Sequence, residues 1–109
     1  MGASYKDLST ATAGTASGAR NFQKSADENG VVQVVVPTTV TAFNVQIQGR
    51  ADASAAWHEV NNISDADATT ASGVTGFESA AKTIKVYPQM QLVLTSYTGS
   101  GNVEAWFIE

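Results

Sequence analysis

Apolar and polar residues alternate with a period of two along most of the chain. In the clearest case, Phe43, Val45 and Ile47 are separated by single asparagine and glutamine residues. Because successive side chains of a β-strand point to opposite faces, this pattern predicts a strand with one apolar face and one amide-rich face. We expect the apolar face to pack against a core and the amide face to lie outside.

Other segments have the length and composition of short strands. They are rich in β-branched or aromatic residues and lie at Val31–Val36, Trp57–Val60, Thr83–Tyr87, Met90–Leu94 and Val103–Ile108. Small and polar residues dominate Asn61–Ala81, which is predicted to be a long loop, with or without a short strand inside it. About six to eight short strands with turns about every 8–12 residues predict an all-β fold, a single small β-sandwich or jelly-roll-like domain over residues 21–109.

Residues 1–20 are predicted to form an extended N-terminal arm. Met1–Gly18 consists mainly of Ala, Ser, Thr and Gly, and Tyr5 and Leu8 are its large apolar residues apart from the initiator. Ordering the backbone costs roughly 1–2 kcal/mol per residue, whereas burying two large side chains returns roughly 1.5–3 kcal/mol each, so the segment cannot fold alone. We expect the arm to dock on neighbouring subunits, and its deletion to leave a folded domain that associates more weakly.

Composition and charge restrict the classes of function. The 109 residues include 6 Lys and Arg against 10 Asp and Glu, a net charge of −4. Nucleic-acid binding needs clustered cations that neutralise phosphates, so no nucleic-acid partner is expected. The absence of cysteine excludes disulfides, thiolate metal sites and a cysteine nucleophile. No stretch has the roughly 20 apolar residues of a membrane span or the apolar core of a signal peptide, so we expect no membrane partner and synthesis in the cytoplasm.

Residues that could carry chemistry are sparse. His58 is followed by Glu59, but adjacent strand residues point to opposite faces, so this pair cannot act as a base and its orienting acid. Asp65 and Asp67 alternate as calcium ligands do, and Asp52 is a more distant candidate ligand. The closing glutamate of a calcium-binding loop is missing, so we interpret them as solvated turn residues. The sequence therefore predicts no catalytic residue, no cofactor and no metal site, and a protein that is not an enzyme.

Four aromatic residues leave two interpretations open. Trp57, Tyr87, Tyr97 and Trp106 either form a platform on which a sugar ring stacks, or pack in the core or at an interface. Aromatic residues make up only 8% of a domain that needs a core, which favours packing. Exposure of Trp57 or Trp106 beside Asn and Asp side chains would favour the sugar platform, whereas burial of both would remove it.

Two stretches resemble small β-sandwich structural proteins of tailed bacteriophages. Phe43–Trp57, FNVQIQGRADASAAW, resembles the strand, turn and tryptophan arrangement of such proteins. Val86–Trp106, VYPQMQLVLTSYTGSGNVEAW, resembles their terminal hairpin. Together the stretches span about a third of the chain, and both encode hairpin geometry rather than catalysis.

The resemblance implies a virion component, most like a capsid decoration (cement) protein. Such proteins bind the assembled head and clamp neighbouring capsomers, typically as trimers. The implied partner is therefore the major capsid protein, the implied oligomer a homotrimer, and the implied location the capsid surface of the virion. A neck, tail or head-fibre subunit and a glycan-binding host-recognition module stay open as alternatives.

Five large apolar residues are the expected partner contacts, because a small domain cannot easily bury them. Tyr5, Leu8 and Phe22 are predicted to anchor the arm. The last strand is apolar on both faces, and Trp106 and Ile108 are predicted to be its outer-face contacts.

Overall fold

A computed structural model describes residues 4–22, 29–67, 69–70 and 77–108 of the chain. These residues form nine strands and no helix, so they include no helix that could cross a membrane. In chain order the strands are β1 (Ser4–Thr10), β2 (Arg20–Asn21), β3 (Asn29–Pro37), β4 (Val40–Arg50), β5 (His58–Ser64), β6 (Thr69–Thr70), β7 (Phe77–Lys85), β8 (Gln89–Gly99) and β9 (Val103–Ile108).

The strands form two antiparallel sheets. Sheet A has the strand order β1-β9-β3-β7-β6, and sheet B has the order β2-β8-β4-β5. One face of each sheet contributes to a shared core, which leaves the other face of each sheet outside. The predicted all-β fold, a small β-sandwich, is confirmed.

The alternation of side chains places every second residue of the central strands in the core. Phe43, Val45 and Ile47 of β4 are at most 2% exposed, as their spacing predicted. The other buried apolar residues are Leu8, Phe22, Val32, Val34, Val36, Val40, Ile63, Ile84, Val86, Met90, Leu92, Leu94, Val103, Ala105 and Phe107. Within the described part of the chain the core contains no buried polar or charged side chain. Burial of apolar area is therefore the main favourable contribution to folding.

The long loop predicted for Asn61–Ala81 is shorter in the structure. Asn61–Ser64 belongs to β5 and pairs with β4, and Phe77–Ala81 belongs to β7 and pairs with β3. Polar residues occur in these strands because one side of each strand faces outward; Asn62, for example, lies opposite Gln46. Residues 68 and 71–76 of the predicted loop lie outside the described residues.

The N-terminal segment is part of the sandwich rather than a separate arm. β1 pairs with β9 from Ser4 to Thr10, with an irregularity between Lys6 and Leu8. The predicted boundary at residue 20 falls inside β2, which pairs with β8. The prediction of an arm outside the sandwich is therefore wrong for residues 4–20.

Backbone hydrogen bonds hold the segment between β1 and β2 on the edge of sheet B. The N–H of Gly14 lies 2.6 Å from the carbonyl oxygen of Leu94, and the N–H of Ser17 lies 2.8 Å from that of Leu92. The small side chains between β1 and β2 allow the segment to run close beside β8, where it satisfies backbone groups of a strand edge. The burial of large side chains, which composition reports, does not include these backbone bonds.

Candidate interaction surfaces

The outer face of sheet A carries a row of half-buried apolar side chains, which we call the apolar face. It consists of Val31 and Val35 from β3 and Trp106 and Ile108 from β9, which alternate with buried neighbours. Ile108 lies opposite Val31, and Trp106 lies opposite Gln33. Apolar side chains grouped on the solvent side of a sheet are typical of a surface that packs on another protein.

Trp106 is oriented by a charged pair from neighbouring positions. Lys6 lies opposite Trp106 in the β1–β9 register, with its Nζ 5.6 Å from the centroid of the indole ring. The same Nζ lies 3.1 Å from Glu104 Oε2. The ammonium group is attracted to both the ring face and the carboxylate, which favours one position of the indole. Trp106 and Ile108 therefore lie at the surface, as expected, and their binding of a partner stays a prediction.

Two of the predicted arm anchors belong to the core of their own chain. Leu8 is 2% exposed and Phe22 is 9% exposed. The ring of Phe22 packs edge to face on that of Phe107, with centroids 5.3 Å apart. The expectation that this small domain could not bury them is wrong, because β1 and β2 extend the two sheets and bring both side chains over the core.

Tyr5, the third predicted anchor, is also covered by its own chain. It lies opposite Phe107 in the β1–β9 register and packs, partly buried, against the core. The guanidinium of Arg20 lies 4.0 Å from the Tyr5 ring centroid and donates two hydrogen bonds of 2.5 Å to the Asp7 carboxylate. Tyr5 therefore does not join Trp106 in one contact surface.

The outer face of sheet B has a different chemistry. Half-buried amide side chains project from its two central strands, and we call them the amide face: Asn44, Gln46 and Gln48 from β4, and Gln89 and Gln91 from β8. Alternation predicted that the β4 amides point outward. Their alignment with the glutamines of β8 was not predicted, because it depends on the register between strands distant in the sequence; the alternating glutamines before Leu92 were the available signal.

Hydrogen bonds connect the side chains of the amide face. Gln91 Nε2 donates to Gln48 Oε1 at 2.5 Å, and Gln48 Nε2 donates to Gln46 Oε1 at 2.5 Å. Asn44 Nδ2 donates to the hydroxyl of Thr95 at 2.7 Å. An amide has two N–H donors and two oxygen lone pairs, so Gln48 keeps one of each after these two bonds.

Trp57 lies at one end of the amide face. The guanidinium carbon of Arg50 is 4.0 Å from the centroid of the Trp57 ring, and Arg50 Nε donates to Gln89 Oε1 at 2.8 Å. One arginine therefore connects the half-buried indole to the row of amides. The sequence left open whether the tryptophans are core or surface residues; neither Trp57 nor Trp106 is among the side chains packed in or against the core.

A cleft of about 370 Å³ lies between β5 and the end of β7. Tyr87 packs on Gly49, where a Cβ atom would come within 2.7 Å of the ring, and His58 meets Tyr87 edge to face with centroids 4.9 Å apart. Among the described residues His58 has no hydrogen bond to a carboxylate, the contact that orients a histidine base. The cleft is lined by His58, Glu59, Val60, Asn61, Thr83, Ile84, Lys85 and Tyr87.

The two aspartates after β5 accept hydrogen bonds from backbone N–H groups of β4 and β5. Asp65 Oδ1 accepts from the N–H of Phe43 at 3.2 Å, and Asp67 Oδ2 accepts from the N–H of Ser64 at 2.9 Å. The Ser64 bond holds the pKa of Asp67 below its usual value, and Lys82, 3.3 Å from the carboxylate, lowers that pKa further. In the part of the chain that the structure describes, no group of three His, Asp or Glu side chains could hold a metal ion.

The structure thus presents two broad outer faces, one apolar and one rich in amides. Both are suited to binding, because each offers a row of side chains that are fixed by their strands and face outward. Comparison with protein families, curated proteins and solved structures finds no match to this chain. A functional proposal therefore rests on the chemistry of the two faces and on the resemblance of the two hairpin stretches.

Proposed function

We propose that this chain is a non-enzymatic structural protein of a tailed-phage virion, a decoration protein that binds and stabilises the assembled head. The observation that carries the proposal is the apolar face, which presents Trp106 and Ile108 of β9 on the same side of sheet A as Val31 and Val35 of β3, with Ile108 opposite Val31. The phage assignment rests on the resemblance of Phe43–Trp57 and Val86–Trp106 to small virion proteins. The partner in this proposal is the major capsid protein, and the location is the capsid surface.

The apolar face has the composition of a protein-binding surface. Removing apolar area from water contributes about 25 cal/mol per Å². Tryptophan is enriched among the residues that dominate interface energies, and Trp106 is bordered by the polar pair Lys6 and Glu104. The described residues extend over 38 × 30 × 19 Å, and the two outer faces lie on opposite sides of the sandwich. Docking through the apolar face therefore leaves the amide face directed away from the shell.

Oligomerisation would strengthen a weak contact of this kind. In a homotrimer, the second and third subunits bind at a high effective concentration once the first is bound. A protein that binds the assembled shell, and not the free capsid subunits, stabilises the shell by mass action. This mechanism does not require a free N-terminal arm; residues 4–20 of the predicted arm are used within their own sandwich.

The copy number per particle tests the position in the virion. Quantitative mass spectrometry would compare this chain with the major capsid protein in particles purified from the phage that encodes it. Hundreds of copies per particle are expected for a decoration protein. A dozen to a few dozen copies would instead indicate a neck, tail or head-fibre subunit, and absence from the particles would overturn the virion proposal.

A matched pair of variants tests the docking face. We expect Trp106→Ala to weaken binding to heads that lack this protein by roughly tenfold or more, as measured by co-sedimentation. Trp57→Ala removes an indole from the opposite face and should bind heads as the unchanged chain does. Equal loss in both variants, or no loss in Trp106→Ala, would contradict docking through the apolar face.

A further inference from the structure

The amide face is rich in groups that both donate and accept hydrogen bonds. Gln48 accepts from Gln91 and donates to Gln46, so its orientation is fixed while one N–H and one lone pair stay available. Gln89 is held in the same way, since it accepts from Arg50 and donates to a residue of β2. Side chains that are already fixed lose little conformational entropy when a ligand binds to them.

The spacing of these amides suits a chain of hydroxylated rings. Gln48 and Gln91 lie directly opposite each other on neighbouring strands. Neighbouring strands are about 4.8 Å apart, which is close to the length of one hexose residue in a polysaccharide. A sugar hydroxyl donates one hydrogen bond and accepts others, and an amide does both, so the two groups are complementary in either direction.

Trp57 adds a surface on which a sugar ring can stack. The faces of a pyranose ring present C–H groups, which pack favourably on the electron-rich face of an indole. Arg50 lies 4.0 Å from the centroid of the Trp57 ring and donates a hydrogen bond to Gln89, so the indole adjoins the cross-strand pair Arg50 and Gln89, next to the pair Gln48 and Gln91. A bound chain could therefore contact the indole and Gln89 at one pair of positions and Gln48 and Gln91 at the next.

The charge of the face restricts the class of ligand. Among the residues of β8, β4 and β5 the charged side chains at outward register positions are Arg50 and Glu59, whose charges cancel. A surface without net charge gives no long-range attraction to an acidic polymer.

The amides of this face would lose their hydration against an apolar protein surface without regaining hydrogen bonds. We propose that the amide face, with Trp57, binds neutral carbohydrate chains; this site does not depend on docking at the apolar face.

Affinity electrophoresis tests this site. The full chain would be run in native gels that contain dextran, glucomannan or a neutral galactan, and in gels that contain the acidic polymer polygalacturonate. We expect at least one neutral polymer to retard the protein, and polygalacturonate not to do so. We expect Trp57→Ala to weaken the interaction by roughly tenfold, and Gln48→Ala to weaken it by roughly threefold through the loss of one hydrogen-bonding side chain.

Two further variants separate this site from folding and from the apolar face. Trp57→Phe keeps an aromatic ring and should retain part of the retardation, which covers the case in which Trp57→Ala does not fold. Trp106→Ala should be retarded as strongly as the unchanged chain, whatever its binding to heads. Retardation by none of the neutral polymers, retardation by polygalacturonate alone, or full retardation of Trp57→Ala would each overturn the proposal.

Discussion

The two outer faces of the sandwich share one backbone pattern and differ in chemistry. Val31 and Val35 occupy outward positions of a central strand in sheet A, and Gln46 and Gln48 occupy corresponding positions in sheet B. The inward neighbours of both pairs are apolar and almost completely buried. The fold requires apolar side chains only at the inward positions, so the outward positions are free to carry binding chemistry.

The surroundings of the two tryptophans, one on each face, can be compared in the same way. Trp106 is near Lys6, with 5.6 Å between the Nζ and the ring centroid, and Trp57 is near Arg50, with 4.0 Å between the guanidinium carbon and the centroid. Each indole is therefore paired with a cation. Trp106 shares its face of β9 with Ile108 and lies opposite Gln33, whereas Trp57 is connected through Arg50 to the amide of Gln89. The neighbours of a half-buried surface tryptophan, rather than the tryptophan itself, indicate which kind of partner it is suited to.

The largest expected effect follows from removing an inward side chain. Leu8→Ala should lower the free energy of unfolding by about 2–5 kcal/mol, because it leaves a cavity under β1. Urea unfolding monitored by tryptophan fluorescence measures this value. Ser4→Ala, an exposed change on the same strand, should alter it by less than about 0.5 kcal/mol. A small effect of Leu8→Ala would mean that β1 is not an integral part of the sandwich.

A smaller loss of stability is expected when alanine replaces either of two glycines, one in each sheet. A Cβ at Gly49 in β4 would come within 2.7 Å of the Tyr87 ring, whereas one at Gly30 in β3 would meet a Val86 methyl at 3.1 Å. We expect Gly49→Ala to cost about 1–3 kcal/mol through overpacking, and Gly30→Ala to cost less. The same unfolding assay compares them, and a greater loss for Gly30→Ala would contradict the tighter packing on β4.

Periodicity predicted the fold because it reports which side of a strand is buried. The alternation around Phe43 and the alternation from Met90 to Leu94 predicted the inward residues of β4 and β8, and the all-β fold followed from many such segments. The same pattern predicted the outward position of Trp106. Each of these inferences uses neighbouring residues only.

Features that depend on pairing between strands distant in the sequence were not predicted. The amide face requires β4 to lie beside β8, with Gln48 opposite Gln91, and nothing in either segment fixes that register. The burial of Leu8 and Phe22 likewise depends on backbone pairing of a segment whose small side chains carry little signal. Hydrogen bonds formed by the main chain do not depend on residue type, so composition underestimates them.

Exchanging valine and glutamine at one outward position of each face tests whether the fold depends on the outward residues. Val35→Gln and Gln46→Val should each change the free energy of unfolding by less than about 1 kcal/mol, the span of strand propensities. Retention on a hydrophobic-interaction column should fall for Val35→Gln and rise for Gln46→Val. Unchanged retention in both variants would mean that these two faces do not differ in accessible apolar surface.

The smallest change in the free energy of unfolding is expected for Asp67, which lies where the chain passes from sheet B to sheet A. Asp67 accepts the N–H of Ser64 in β5 and lies 3.3 Å from the ammonium of Lys82 in β7, so its carboxylate contacts both sheets. These contacts lower the pKa of Asp67. Asp67→Asn should therefore destabilise the protein at pH 7, by at most about 1 kcal/mol for a partly exposed group.

The unchanged chain and Asp67→Asn are expected to differ in the free energy of unfolding, and the pH dependence of that difference identifies its cause. A carboxyl group whose pKa is lower in the folded chain than in the unfolded chain stabilises the fold above its unfolded pKa, about 3.9, and loses this contribution as the pH falls through its folded pKa. The unfolding free energies of the unchanged chain and of Asp67→Asn should therefore differ at pH 7 and converge toward pH 2. Glu59→Gln removes the same charge from an exposed position of sheet B and controls for net charge. A difference that persists at pH 2 would show that the side-chain amide disturbs the turn itself, because no ionised carboxylate would then remain to bridge the two sheets.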